Sequence, residues 1–281
     1  MSRGLTLWLT ALAMVAFAGN SLLCRAALDT TAIDPASFTG IRLLAGALTL
    51  WLVVRWQARA SVLSGSWPSA LALFAYAVLF SFAYLGLSAG TGALLLFGAV
   101  QATMILYGLW RGERLAAWQW LGLGLALAGM AGLFLPGFTA PPPGAGLMMV
   151  AAGVAWGVYS LRGRGGGDPT AVTAGNFLRT LPLAAGVSLL ALPWASLDPA
   201  GVLYAVASGA LASGLGYAVW YMALPGLSPT SAATVQLSAP VIAALGGVAL
   251  LAEPFSLRLL LASVAILGGI ALVIRRPAAA R

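Results

Sequence analysis

PSALALFAYAVLFSFAYLGLSAGTGALLLFGAVQATMILYGLWR, residues 68–111, carries no ionised side chain before its last position. It divides into two apolar blocks, 68–88 and 91–111, each close to the roughly 20 residues that an α-helix needs to cross a bilayer. The turn between them, 88–91, is so short that consecutive helices must run antiparallel. Strands of a membrane β-barrel would be about ten residues long and would alternate in polarity. These blocks are twice that length and apolar on every side, so they read as a helical hairpin inside a membrane.

Eight more segments of the same kind flank this hairpin. The candidate spans are 5–26, 37–56, 68–88, 91–111, 115–135, 145–162, 171–193, 200–223, 229–251 and 256–274, numbered here 1 to 10. Together they use roughly 200 of the 281 residues. Turn residues punctuate the gaps: Asp34-Pro35, Ser66-Trp67-Pro68, Pro136 through Gly146, Gly163 through Pro169, Asp198-Pro199, Pro225 through Pro229 and Glu253-Pro254. No gap is long enough for a soluble domain. Arg3, the first apolar run and Ala16-Phe17-Ala18 imitate a cleavable leader, but the run continues past that point to Leu23. A lipoprotein signal at Cys24 would want a small residue where Leu23 stands. The first span is therefore expected to be retained.

Composition agrees. Hydrophobic residues make up 61% of the chain and charged ones 7%, against about 25% charged in a soluble domain. All 14 basic residues are arginines, His is absent, and Cys24 is the single cysteine. An internal disulfide and a His/Cys zinc site are thereby excluded, and no metal or cofactor is expected. The arginines are scattered between apolar runs and form no basic face for nucleic acid. With both termini in the cytoplasm, Arg3, Arg55, Arg59, Arg111, Arg114, Arg162, Arg164, Arg275, Arg276 and Arg281 lie inside. The outer loops carry Asp29, Asp34, Asp198 and Glu253 instead, with Arg25 and Arg258 near outer span ends. Trp8, Trp51, Trp56, Trp67, Trp110, Trp118, Trp120 and Trp194 fall where interface belts belong.

The chain also repeats. An offset of 140 brings Glu113 onto Glu253, Leu121 onto Leu261, Leu127 onto Leu267, Gly129 onto Gly269 and Ala131 onto Ala271. An offset of 137 brings Arg42 onto Arg179, and Phe80 and Tyr84 onto Tyr217 and Tyr221. Coincidences among Leu, Ala and Gly carry little weight in so apolar a chain, whereas the rare charged residues carry more. Five spans per half is an odd number, so the two halves, 1–139 and 140–281, are expected to thread the membrane in opposite directions. That is the inverted repeat of secondary transporters, with cargo held near the midplane between the halves.

An arginine in the second span of each half, and Gly112-Glu113-Arg114 and Ala252-Glu253-Pro254 before the last span of each half, resemble the drug/metabolite transporter superfamily. Within it the chain is similar to EamA-type exporters, especially those that export aromatic amino acids. The resemblance implies an all-α, multi-pass carrier of the bacterial inner membrane that works by alternating access, with a central cavity lined mainly by spans 1, 3, 4, 6, 8 and 9.

The residues suggest what lines that cavity. Tyr76, Phe80 and Tyr84 form a stripe along span 3 at helical spacing, and Ser213, Tyr217 and Tyr221 form another along span 8. A phenol facing lipid in mid-membrane would be costly, so the stripes point inward, either as cavity wall or as hydrogen-bonding glue between helices. Trp156 stands clear of both belts, with Tyr159 one turn on; Trp220, near an inner end, reads as belt. Asn20, Gln101 and Gln236, with Asn176, Ser160 and Ser238, form the small polar set, and amides can serve both ends of a zwitterion or bridge helices. Pro240 interrupts span 9 and frees a carbonyl. Arg42 and Arg179 lie within two turns of a span end, where they can snorkel; a structural or gating role is preferred for them. Glu113 and Glu253 are expected to cap the following helix or to pair with Arg114 and Arg258.

No Asp, Glu or His sits mid-span, so a proton relay of the usual kind is not expected, and downhill export is. Paired cations for a phosphate cargo are also missing. The expected function is export of neutral, preferably aromatic or large apolar, amino acids by a monomer in contact with membrane lipid. A multidrug or general metabolite exporter is the rival within the superfamily. A membrane-embedded lipid-modifying enzyme would need a clustered acid, His or nucleophile network, and a channel would need a charged ring or filter.

Overall fold

The computed structural model describes residues 2–56, 64–135, 140–163, 168–227 and 229–274. Arg59, Arg164, Arg275, Arg276 and Arg281, all expected on the inner side, lie outside the described residues, as do 136–139, 164–167 and 228 of the expected turns. Every regular element among the described residues is a helix: α1 Arg3–Thr30, α2 Pro35–Trp56, α3 Trp67–Ala83, α4 Ala89–Trp110, α5 Ala117–Leu133, α6 Pro143–Arg162, α7 Pro169–Leu190, α8 Pro199–Gly226, α9 Pro229–Gln236, α10 Ser238–Leu251 and α11 Leu257–Ile274. Each apolar run coincides with one helical rod, the ninth being split into α9 and α10 by Leu237 alone.

The rods begin where the punctuation puts them. Ser66, Ser88, Asp168 and Asp198 each accept a backbone N–H from the first turn that follows, and Asp34 accepts from the N–H groups of Ala36 and Ser37 at the start of α2. These are the donors that a helix start leaves without intrahelical partners. Proline occupies the first turn of α3, α6, α7 and α8, where its missing N–H is no loss. Pro240 cannot donate to the Gln236 carbonyl four residues back, and this is where the ninth rod breaks. In α8 the stretch Ser208–Leu215 is a π-helix, whose hydrogen bonds span five residues rather than four.

Among the described residues, seven helical stretches are long and apolar enough to cross a membrane, one of them, Thr234–Leu251, running across the break between α9 and α10, and α3 and α5 are shorter apolar helices. Leu12, Leu48, Leu203, Leu250, Leu261 and Val264 are exposed on the outside of the bundle, an apolar exterior larger than a water-soluble monomer shows. The eight tryptophans expected in interface belts are all exposed as well.

Small residues hold the rods close. A Cβ on Gly269 of α11 would collide with the Gly122 carbonyl of α5, and Gly129 lies against Ala265 and Ile266. This is close backbone approach of the kind small residues permit in membranes, and α5 and α11 form an intimate pair at the side of the bundle. Around the centre, α6 lies against α3 and α4, while α1 lies against α8 and α10. The rods α2 and α7 cross each other, α2 also meets α8, α3 meets α7, and α4 meets α10.

Candidate transport cavity

A cavity of about 670 Å³ runs up the middle of the bundle, within the range of small-molecule sites. At one end it reaches Gly163, Pro169, Leu224 and Leu227, beside the α6–α7 and α8–α9 connections. At its blind end stand Asn20 of α1 and Tyr76 and Phe80 of α3. Asn20 is tied on both sides: its Nδ2 donates to the Tyr76 hydroxyl (3.0 Å), and its Oδ1 accepts from Ser208 in the π-helical stretch (2.6 Å).

Above that end the wall is aromatic. Trp156 of α6 touches Tyr76 (ring centroids 4.8 Å apart), Tyr159 (5.3 Å) and Tyr217 of α8 (5.3 Å, planes 23° apart). Phe17 of α1 sits between Tyr217 and Trp220 at 5.8 and 5.9 Å. Toward the open end come the amides. Gln101 and Gln236 line the cavity, and Asn176 of α7 accepts from the Ser66 N–H (2.9 Å) while donating to the Tyr159 hydroxyl (3.4 Å). Tyr221 and Thr173 share a hydrogen bond of 3.2 Å. Among the described residues, no ionised side chain lines the cavity. Such a wall offers flat, polarisable faces and a few donors and acceptors, which suits a neutral or zwitterionic molecule with a large apolar part.

Asn20, Tyr76, Phe80, Gln101, Trp156, Tyr159, Tyr217 and Gln236 thus all reach the cavity. Tyr84 and Ser213 do not. Tyr84 is fully buried beyond Phe80, its hydroxyl donating to the Ala89 carbonyl (3.3 Å) over Gly92, whose missing Cβ makes the room. Ser213 lies in the π-helix, where a spacing of four no longer returns to the same face, and Ala212 faces the cavity instead. Trp220 is buried in the wall rather than belonging to a belt. Its neighbour Phe17 carried no signal in a uniformly apolar span. The α7 contribution, Val172, Thr173 and Asn176, adds a rod to the six expected.

The two in-span arginines behave differently. Arg179 does tie elements together: its Nη1 donates to the Ser64 and Gly175 carbonyls at 2.9 and 2.8 Å. Arg42 does not snorkel. It is 2% exposed, with its guanidinium 4.9 Å from the Phe80 ring centroid and 5.5 Å from that of Tyr76. Cation–π contact without water contributes about 2 kcal/mol for a ring, so the two rings are of the same order as the roughly 2.5–3.5 kcal/mol of placing an arginine in mid-span.

Glu253 lies beyond the blind end, past Phe80 and Tyr84, but not with the contacts expected for it. Its carboxylate accepts from the Ala89 N–H at 3.0 and 2.9 Å, capping α4 rather than the helix that follows it, and pairs with Arg25 Nε at 3.2 Å. Ala252, with φ of 52°, turns the chain so that Glu253 folds back over Gly247. Arg25 also donates to the Tyr84 carbonyl (3.1 Å) and pairs with Asp29 (2.9 Å). Arg258 donates to the Leu133 and Leu135 carbonyls. Glu113, at the other end, folds back over Gly108 and is exposed. Beside the Glu253 contacts, Asp34 joins the α1–α2 connection to the α7–α8 connection by accepting from Ser196 N–H (3.0 Å).

Known proteins share both sequence and fold with this chain. The profile of the EamA-like transporter family matches residues 144–275. The uncharacterized protein PA1977 of Pseudomonas aeruginosa is 60% identical over 270 residues, 96% of this chain and 94% of its own. One crystal structure of a protein, 22% identical, superposes with a TM-score of 0.67 over 97% of this chain and 98% of its own length; it shares the fold.

Proposed function

The chain belongs to the EamA-like transporter family, in the drug/metabolite transporter superfamily, and from that premise we propose that it exports neutral, preferably aromatic or large apolar, amino acids from the bacterial cytoplasm. The reading has ten membrane spans in two inverted five-span halves, 1–139 and 140–281, both termini inside, and alternating access in the inner membrane. The observation that carries it is the cavity wall in which Trp156 bridges the rings of Tyr76, Tyr159 and Tyr217. Rings of cargo can stack there while Asn20, Gln101 and Gln236 meet its polar end.

The packing supports the halves. Exchanging each rod of the first half with its counterpart in the second turns the contact of α3 with α6 into that of α8 with α1. It likewise turns α4 with α6 into α10 with α1, and α2 with α8 into α7 with α3; α2–α7, α4–α10 and α5–α11 map onto themselves. The arginines support the orientation: Arg3, Arg55, Arg111, Arg114 and Arg162 stand at the end where the cavity opens, and the acidic connections at the blind end. The described conformation is then inward-open, ready for cytoplasmic cargo.

Counterflow into proteoliposomes tests the reading with labelled Phe, Trp, Met, Thr and a cationic dye, at zero pH difference. Phe and Trp should exchange best and without a gradient, and Trp156→Ala should lower exchange about tenfold or more at unchanged folded yield. Dye exchange without amino-acid exchange would make the protein a multidrug exporter instead.

A further inference from the structure

We propose that Arg42 is the anchor for a carboxylate group on the transported molecule, so that a carboxylate is required of the ligand and an amine is not. This rests on the reading of the cavity as the cargo site. Three observations carry it. First, Arg42 Nη1 is buried and, among the described residues, has no hydrogen-bond partner within 3.5 Å, the Tyr76 side chain being its nearest polar neighbour, although a guanidinium offers five donors in a fixed fork. An unsatisfied charged donor in a closed interior is among the most expensive features a fold can keep, and a ligand that completes it removes that cost.

Second, none of the six Asp and Glu side chains is available to it. Asp29 and Glu253 pair with Arg25, Asp34, Asp168 and Asp198 cap helices, and Glu113 is exposed at the other end. Arg179, which stands in the second half where Arg42 stands in the first, spends its donors on the Ser64 and Gly175 carbonyls. The fold therefore knows how to satisfy this arginine with backbone and does so at only one of the two places.

Third, Arg42 is covered by cavity wall. Tyr76 and Phe80 both line the cavity, and the guanidinium, which does not reach it, lies against their two rings. The hydroxyl of the same Tyr76 holds the Asn20 amide. Movement of the Tyr76 and Phe80 rings away from the guanidinium thus uncovers two donors together, Arg42 Nη1 and Asn20 Nδ2, at the blind end of the cavity. A planar, singly charged carboxylate matches that pair. A phosphate dianion does not, because one cation is too few for it.

At an effective dielectric of about 20, a carboxylate at hydrogen-bond range, about 4 Å from the guanidinium carbon, gains up to roughly a thousandfold in affinity, which desolvation of the two charges lowers to about 100-fold. The test compares two analogues that share the phenyl ring. They are 3-phenylpropanoate, which has a carboxylate and no amine, and phenethylamine, which has an amine and no carboxylate. Binding to the full-length protein in lipid nanodiscs is read from its tryptophan fluorescence and by calorimetry. Expected is binding of 3-phenylpropanoate with phenethylamine about 100-fold weaker, and loss of that difference in Arg42→Gln. Phenethylamine binding as well as 3-phenylpropanoate, or neither binding, overturns the proposal. So does a folded R42Q protein that keeps the difference. The wild-type comparison needs no variant, so a misfolded R42Q leaves it decisive. Because binding is measured, the export reading fails separately, as a ligand that binds and is never carried into liposomes.

Discussion

Glu253→Gln should loosen the blind end of the cavity. The Glu253 side chain is 10% exposed and its partner Arg25 18%, so the pair is screened far less than a surface ion pair. The substitution keeps one acceptor oxygen for the Ala89 N–H but loses the charge that meets both Arg25 and the start of α4. Hydrogen bonds to charged groups contribute about 1.5–3 kcal/mol, and a carboxylate at a helix N-terminus about 0.3–1 kcal/mol. Arg25 retains Asp29 at 2.9 Å, which keeps the loss below the roughly 3–5 kcal/mol of orphaning a buried charge. A change of about 2–3 kcal/mol remains, or roughly 30- to 150-fold in the equilibrium between closed and open at that end. The assay is labelling by a membrane-impermeant maleimide of a cysteine placed at Ser21, which lines the cavity near its blind end, in a Cys24→Ala background. Added from the side of the acidic connections, the reagent should react at least tenfold faster with the E253Q protein. Glu113→Gln, at an exposed carboxylate, should leave the rate unchanged. Equal rates for wild type and E253Q would refute the closure drawn here.

Two further outcomes follow from the packing and the loops. Gly269→Ala should destabilise the protein by about 1–3 kcal/mol, an overpacking cost, because its Cβ would meet the Gly122 carbonyl. Gly268→Ala has open space around it and should change stability by no more than about 1 kcal/mol; detergent unfolding curves of the two variants compare them directly. Asp34 is pushed up by partial burial, but hydrogen bonds from Ser37, Ala36 and Ser196 outweigh this and hold its carboxyl below the usual range. A lowered folded value means stability that is present above the unfolded value of about 3.9 and lost as pH falls through the folded one. Melting temperature should therefore drop below about pH 4 in the wild type and more shallowly in Asp34→Asn. Parallel curves would show that Asp34 contributes nothing.

Composition and segment length were enough to place this chain among helical membrane proteins and to mark where each rod starts, because both properties are local. Twenty apolar residues in a row have few other fates, and Ser, Asp and Pro at the breaks act on the turn in which they stand. The recurrence of Arg42 at Arg179 and of Glu113 at Glu253 was also visible along the chain, since rare residues in an apolar background are noticed. The stripes on α3 and α8 pointed inward as their phenols required, and Tyr76, Phe80 and Tyr217 reach the cavity.

What a linear pattern could not supply is partnership. Glu253 meets Arg25 across 228 positions rather than Arg258 five positions on, because the fold brings α1 and the start of α4 closer than its own helix. Tyr84 and Ser213 fit their stripes by number and leave the cavity by geometry, one at a helix end and the other where a π-turn shifts the register. Phe17 and Trp220 look like any other apolar side chains until α1 and α8 are laid together. Arg42 and Arg179 occupy matching places, yet one finds carbonyls and the other aromatic rings. Which neighbour a side chain meets depends on how the rods settle against one another, and that outcome is set by the packing of the whole bundle, which no stretch of twenty residues encodes.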